Sequence, residues 1–222
     1  MPNFEPRGSF RELTLATFVD RLASGEPVPG GGSASAVAAS LGAGLVTMVA
    51  SLSQDRPKYA AHAALHERAV EVGRRLATRF LELADEDSAA FARFAASLKL
   101  PRQSDDEQNR RRAAMSEAAR DAAEVPFAMM EACLELVSTA ESLVGRSNAN
   151  ASSDLGVAAL LANAAARGAA ENVLVNLPSV DDDAYRGEAA ADVVRLLDDI
   201  EQLAAEVHEG VRGGTARDPL PG

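Results

Sequence analysis

Apolar side chains recur at intervals of three and four residues along most of this chain, the spacing that places them on one face of an α-helix. The longest such run consists of Leu65, Ala69, Val72, Leu76, Phe80, Leu83, Phe91, Phe94 and Leu98. It predicts one long helix that begins after Pro57 and ends before Pro101, because proline disfavours helical backbone in the residue before it. A helix of this length suits the spine of a helical bundle.

Local signals at helix ends predict further helices. Thr14 can cap a short helix that runs to about Ser24. The spacing of Ser104 and Glu107 is that of a capping box and predicts a helix start at this point. Pro126 then restarts or kinks this helix, since proline has no N–H to donate to the preceding turn.

The last third of the chain continues the same pattern. A helix over about 125–143 precedes a polar loop at 145–154, which leads into an Ala-rich helix ending near Asn172. Asp181, Asp182 and Asp183 supply acidic first-turn residues for a final helix ending near 213–214. We find no alternating strand pattern, repeat or dividing linker. The predicted fold is all-α, one multi-helix domain over 1–222, with 1–12 and 215–222 expected to be flexible.

Residues 33–53 carry no charge over a length that could span a bilayer. The stretch is built from Ala, Ser and Gly, with few large apolar residues. Small residues let helix backbones approach closely, so we expect the central helix of a bundle or the core of a dimer. A membrane span is the less favoured interpretation.

Charge and cysteine content narrow the class of protein. The chain has 33 acidic and 22 basic residues, a formal net charge of −11, which argues against a nucleic-acid partner. Met1 to Arg11 has no apolar core of signal-peptide length. The single cysteine, Cys133, lies in an apolar helical run and is expected to be a buried hydrophobe rather than a nucleophile. We expect a cytoplasmic protein.

Three consecutive glycines, Gly30 to Gly32, precede Ser33 and the uncharged helix. Without side chains, their backbone N–H groups and the helix N-terminus can approach an anion or a planar ligand. No Gly-Lys-Ser/Thr sequence follows and no strand precedes, so neither a Walker loop nor a dinucleotide-binding motif is indicated. A tight turn between helices remains the alternative.

A carboxylate interrupts the apolar stripe of the long helix. Asp87 falls in phase with Phe80 and Phe91, and a buried carboxylate must be paired, protonated or facing a cavity. Asp85 points to a different side, at the margin of the same cavity or in water. His62 and His66 lie one helical turn apart without a third ligand, so no metal site is expected.

Several segments in order along the chain resemble the cyclodeaminase/cyclohydrolase family. This family includes the C-terminal domain of formimidoyltransferase-cyclodeaminase and stand-alone methenyltetrahydrofolate cyclohydrolases. The segments that carry the resemblance, which extends from about Leu13 to Val211, are 18–21, 29–33, 85–91, 100–101, 125–126, 153–159 and 172–177.

The resemblance implies an all-helical homodimer that acts on one-carbon derivatives of tetrahydrofolate, without metal or redox cofactor, in clefts near the subunit interface. By position, the residues it implies for substrate binding are Gly30, Gly31, Gly32, Ser33, Arg56, Asn148 and Asp154. Those it implies for catalysis are Asp87, Asp85 and Lys58. Pro57 departs from the family pattern, which leaves open whether Arg56 or Lys58 performs the basic role.

The resemblance implies conversion of 5-formiminotetrahydrofolate to 5,10-methenyltetrahydrofolate with release of ammonia. An aspartate would transfer protons and stabilise the cationic product, and a basic residue would donate a proton or anchor the glutamate carboxylates. The alternative reaction is cyclohydrolysis of 5,10-methenyl- to 10-formyltetrahydrofolate. A non-catalytic helical dimer that binds folate or a protein partner is the third possibility.

Overall fold

The structure, a computed structural model, describes residues 8–220, and its described part consists of helices and connecting loops. The α-helices are α1 (Leu15–Leu22), α2 (Gly31–Ser51), α3 (Ala63–Ser97), α4 (Asp105–Leu143), α5 (Ser152–Asn176) and α6 (Asp183–Gly213). Short 3-10 helices cover Phe10–Glu12, Pro57–His62, Ala149–Ala151 and Leu177–Ser179. Residues 8–220 contain no strand, which confirms the all-α prediction.

Helix α2 lies between α3 and α5, and both neighbours run antiparallel to it. Small residues allow this close packing. A Cβ atom on Gly73 of α3 would lie 3.1 Å from the carbonyl oxygen of Ala43, and the hydroxyl of Ser35 fills the space beside Gly168 of α5. Within the described chain, α2 is the one helix long and apolar enough to cross a membrane. Its buried face packs inside the bundle, as the small-residue composition predicts.

Helix α3 is the predicted spine and ends before Pro101, as expected. Leu76, Phe80 and Leu83 are fully buried in the core. Phe91 and Leu98, which continue the same stripe in sequence, are exposed. The reason is that α2 begins at Gly31, opposite Asp87, so the last turns of α3 extend beyond the cover that α2 provides.

Helix α4 begins at the predicted capping box: Ser104 Oγ accepts from the Glu107 amide, and the Glu107 carboxylate accepts from the Ser104 amide. The prediction that Pro126 restarts the helix is wrong, because α4 is continuous across it. Proline leaves the carbonyl four residues earlier without its helical donor. Asn176 of α5 supplies the replacement, since its Nδ2 donates to the Ala122 oxygen at 3.0 Å.

Both ends of the described chain make defined contacts. The Thr14 side chain caps α1 as predicted, and Phe18 is the one buried residue of that helix. At the other end, the Arg217 amide donates to the Gly145 oxygen at 3.0 Å. Of the ends expected to be flexible, residues 1–7 and 221–222 lie outside the described residues. Cys133 is buried as expected, and burial raises the pKa of its thiol.

Candidate functional site

The predicted glycine turn and the predicted carboxylate meet at the N-terminus of α2. Gly30 is the N-cap residue, in extended conformation, and Gly31 is exposed. Gly32 is buried directly against Asp87: a Cβ atom there would lie 2.6 Å from the carboxyl carbon. Only a glycine at this position lets the carboxyl group reach the helix backbone.

Ser33 binds the same carboxyl group. Its hydroxyl donates to Asp87 Oδ2 at 3.2 Å. The hydroxyl also lies 3.2 Å from Ser88 Oγ and 3.3 Å from the Ala84 oxygen. Helix α3 thus provides three polar partners on consecutive turns, and Ser33 links them to the first turn of α2.

Burial raises the pKa of Asp87 above its ordinary value, and the hydrogen bonds from Ser33 partly oppose that rise. The position predicted from helical phase is therefore correct: the carboxyl group lies on the protected side of α3 and retains some access to solvent. A raised pKa makes the ionised carboxylate a stronger base, which suits a group that accepts a proton from a substrate.

Asp85 lies two residues away on α3 and has different partners. Its Oδ2 accepts from the Ser9 hydroxyl at 2.6 Å, and its Oδ1 accepts from the Phe10 amide at 2.8 Å. Both carboxylate oxygens thus bind the chain segment that precedes α1. None of these hydrogen bonds is shared with Asp87, so the two aspartates hold different parts of the protein.

The basic and amide residues predicted for the site lie at the opposite end of α2. Arg56 and Lys58 are exposed in the segment that follows α2, and the Lys58 ammonium lies 5.3 Å from the centre of the Tyr59 ring. The Tyr59 hydroxyl accepts from the Ala149 amide at 3.1 Å. Asn148 is buried beside this segment, and its backbone N–H donates to Ser53 Oγ at 2.8 Å.

Asp154 belongs to this second group, since it lies half-buried in the first turn of α5, just after Asn148 and the short 3-10 helix. His66 supports the same loop: its Nε2 atom lies 2.9 Å from the Arg146 oxygen. Sequence reasoning missed Ser53, Tyr59 and Ser88. Tyr59 and Ser88 adjoin candidate residues in sequence, but their partners lie many residues away and no local pattern reveals them.

The candidate residues therefore form two clusters. The glycine cluster contains Gly30–Ser33, Asp87 and Ser88. The basic cluster contains Arg56, Lys58 and Asn148, with Asp154 assigned to it by its position at the start of α5. They lie at the two ends of α2, whose 21 residues span about 30 Å. A single chain does not bring the two clusters together. Within residues 8–220, no group of three or more His, Cys, Asp or Glu side chains is placed to hold a metal ion.

The sequence and the fold both match known proteins. Residues 14–195 match the family described as formiminotransferase-cyclodeaminase. A methenyltetrahydrofolate cyclohydrolase from Methylorubrum extorquens is 36% identical over 90% of this chain and 96% of its own length. The formimidoyltransferase-cyclodeaminase of Sus scrofa is 32% identical over 93% of this chain, which spans only 38% of that longer protein.

The fold has a close counterpart of similar length. The crystal structure of formiminotetrahydrofolate cyclodeaminase from Thermotoga maritima aligns with a TM-score of 0.83 and 27% identity, covering 91% of this chain and 98% of the other. The family match covers most of the chain, and the chain therefore belongs to the formiminotransferase-cyclodeaminase family.

Proposed function

We propose that this protein converts 5-formiminotetrahydrofolate to 5,10-methenyltetrahydrofolate with release of ammonia, in the cytoplasm and without metal or redox cofactor. The observation that carries the proposal is the Asp87 carboxyl group, which is held against Gly32 and Ser33 and has a raised pKa. The family membership and the stand-alone Thermotoga maritima cyclodeaminase of the same fold support the choice of substrate.

Asp87 is assigned the proton transfers. N10 of the folate attacks the formimino carbon and loses its proton. The formimino nitrogen carries one hydrogen and must gain two protons before it departs as ammonia, one that comes from N10 and one from water. One carboxyl group can accept the N10 proton and deliver it to the formimino nitrogen, because the two nitrogens are bound to the same carbon. The negative form of Asp87 then stabilises the methenyl cation as it develops in a partly buried site.

The basic cluster is assigned to substrate binding, which requires both clusters to face one ligand. Lys58 or Arg56 would anchor the glutamate carboxylates of the folate, and Asn148 and Asp154 would contribute polar contacts. Because about 30 Å separates the clusters along α2, a second subunit offers the simplest way to join them.

An exposed apolar face on α2 and α5 fits this homodimer. Leu41 at the middle of α2 is 55% exposed, and Leu160 of α5 is 56% exposed. Gly44 also faces open space, because a Cβ atom there would contact nothing within 4 Å. A two-fold axis that crosses α2 near Leu41 would pair two copies of α2 antiparallel. The glycine cluster of one subunit would then adjoin the basic cluster of its partner.

Cyclohydrolysis of 5,10-methenyltetrahydrofolate is the second candidate. It is favoured by the 36% identity to the Methylorubrum extorquens cyclohydrolase, which this chain matches over 96% of that protein's length. In that reaction Asp87 would activate water against the methenyl carbon, and a folate nitrogen would leave protonated. The methenyl compound is the product of one candidate reaction and the substrate of the other.

One absorbance assay separates the candidates. Purified protein is mixed with 5-formiminotetrahydrofolate in one cuvette and with 5,10-methenyltetrahydrofolate in another, and the near-ultraviolet band of the methenyl compound is followed against enzyme-free controls. An enzyme-dependent rise in the first supports cyclodeamination, and an accelerated fall in the second supports cyclohydrolysis. Neither change, combined with no binding of any reduced folate, would support a non-catalytic dimer.

The role of Asp87 is tested in the same assay. Asp87→Asn is expected to reduce turnover by at least on the order of a hundredfold, with a smaller effect on folate binding. Glu71→Gln is the matched control, because Glu71 is an exposed carboxylate on the same helix. An Asp87→Asn protein with the wild-type rate would remove Asp87 from the mechanism.

A further inference from the structure

Asp85 forms two hydrogen bonds with residues that lie far from it in sequence. Ser9 and Phe10, which bind its two oxygens, are 76 and 75 residues away in sequence. These residues begin the N-terminal segment, which we define as residues 9–22 and which includes α1. The carboxylate therefore fixes the start of this segment to α3, on a different side of that helix from Asp87.

The N-terminal segment is part of a loop whose two ends meet on the same turn of α3. The first end is held by Asp85. At the second end, Val28 and Pro29 are buried, and the chain then passes through Gly30 to Ser33, where it binds Asp87. The glycine cluster is thus one end of a loop whose other end is held by Asp85.

Packing within this loop leaves α1 dependent on those ends. Phe18 is its one buried residue, and its ring stacks edge-to-face on the Phe10 ring, with centroids 5.6 Å apart. Leu15 and Val19 are 66% and 51% exposed. A helix of eight residues is marginal by itself, so its position depends on how Phe10 is held. Asp85 holds Phe10 through the backbone amide.

We propose that Asp85 is a positioning residue, which holds the N-terminal segment against α3 and thereby fixes the glycine turn beside Asp87, rather than a proton-transfer group. The functional part of this inference rests on the proposed function. It separates the two aspartates: Asp87 acts on the substrate, and Asp85 acts through the chain segment that leads to Gly30.

The charge of Asp85 and its two hydrogen bonds can be tested separately. In Asp85→Asn, the amide oxygen can still accept from the Phe10 amide, and the amide nitrogen can donate to the Ser9 hydroxyl, which is both donor and acceptor. In Asp85→Ala, both bonds are lost. Ser9→Ala removes one bond and leaves Asp85 in place.

The first measurement is hydrogen exchange of the backbone amides, which requires no turnover. Asp85→Ala is expected to accelerate exchange at Phe10 and across α1, whereas Asp85→Asn and the control Glu71→Gln are expected to stay close to wild type. Unchanged exchange at Phe10 and α1 in Asp85→Ala would overturn the inference, whatever the enzyme activity.

The second measurement is the folate assay over a range of pH. Asp85→Ala is expected to lower kcat/KM on the order of tenfold, because a loosened glycine turn misplaces Asp87. Asp85→Asn should restore kcat/KM to within about threefold of wild type and keep the wild-type pH profile, since the amide preserves the positioning bonds. Ser9→Ala combined with Asp85→Ala should cost no more than Asp85→Ala alone, because both act through one contact.

Two results separate the inference from the proposed function. If Asp85→Asn loses activity as severely as Asp87→Asn while its Phe10 amide stays protected, Asp85 takes part in catalysis and the inference fails. If the wild-type protein converts neither folate, the proposed function fails, and the exchange measurement still decides whether Asp85 holds the N-terminal segment.

Discussion

Gly32 offers the sharpest test of the geometry around Asp87. In Gly32→Ala, the new methyl group would lie closest to Asp87 Oδ1, and it would be 2.6 Å from the carboxyl carbon and 2.7 Å from Oδ2. Because ordinary contacts between such atoms are about 3.5 Å, the carboxyl group must retreat by about 1 Å or more. The hydrogen bond from Ser33, now 3.2 Å, would be stretched beyond bonding distance.

The expected effect on catalysis is much larger than the effect on stability. A displacement of about 1 Å at a reacting group lowers activity on the order of a hundredfold. Stability changes little, because the alanine gains up to about 1 kcal/mol of helix propensity, whereas the displaced carboxyl group loses about 1–2 kcal/mol of hydrogen bonding. Turnover is measured with the folate assay, and the free energy of unfolding with urea.

Gly187→Ala is the matched control, since a Cβ atom at Gly187 meets nothing within 4 Å. It makes the same chemical change near the start of α6, outside both clusters. We expect wild-type turnover and unchanged or slightly increased stability. If Gly32→Ala and Gly187→Ala had equal turnover, the close approach of Asp87 to Gly32 would have no role in the reaction.

Three further predictions concern other parts of the structure. Asn176→Ala leaves the Ala122 carbonyl without a donor and should lower the free energy of unfolding by about 1–3 kcal/mol in urea titrations. Asn172→Ala is the control. The Asn172 side chain donates to the Gly168 oxygen of its own helix, so its loss should lower the free energy of unfolding less. The raised pKa of Asp87 makes the folded protein bind a proton that the unfolded chain releases, so stability falls as pH rises from the ordinary aspartate pKa to the raised one. Asp87→Asn should therefore melt at a higher temperature than wild type at neutral pH, and the difference should vanish below about pH 4. Leu41→Glu should convert a dimer into monomers in light scattering, and a monomeric wild-type protein would refute the proposed interface.

The sequence predicts best what depends on neighbouring residues. Ser104 and Glu107 are three residues apart, and their mutual hydrogen bonds form as the capping-box pattern requires. The phase of Asp87 relative to Phe80 likewise places its carboxyl group on the buried side of α3, because helical geometry fixes that direction.

The features that the sequence does not predict depend on residues far apart along the chain. The continuity of α4 across Pro126 depends on an amide donor that lies 54 residues from its acceptor. The partners of Asp85 are even more distant, so its neighbourhood in sequence suggested only an acidic pair. Periodicity also says nothing about which helix ends meet, which is why the separation of the two clusters along α2 could not be foreseen.

The burial of Cys133 makes this protein a convenient host for site-directed labelling. It is the single cysteine of the chain, it is fully buried, and the raised pKa of its thiol suppresses the reactive thiolate. Maleimide reagents should therefore leave the folded protein unmodified in the absence of denaturant. A cysteine introduced at an exposed position would carry the whole label, so spin labels on α2 could report distances across the proposed dimer without removal of a native thiol.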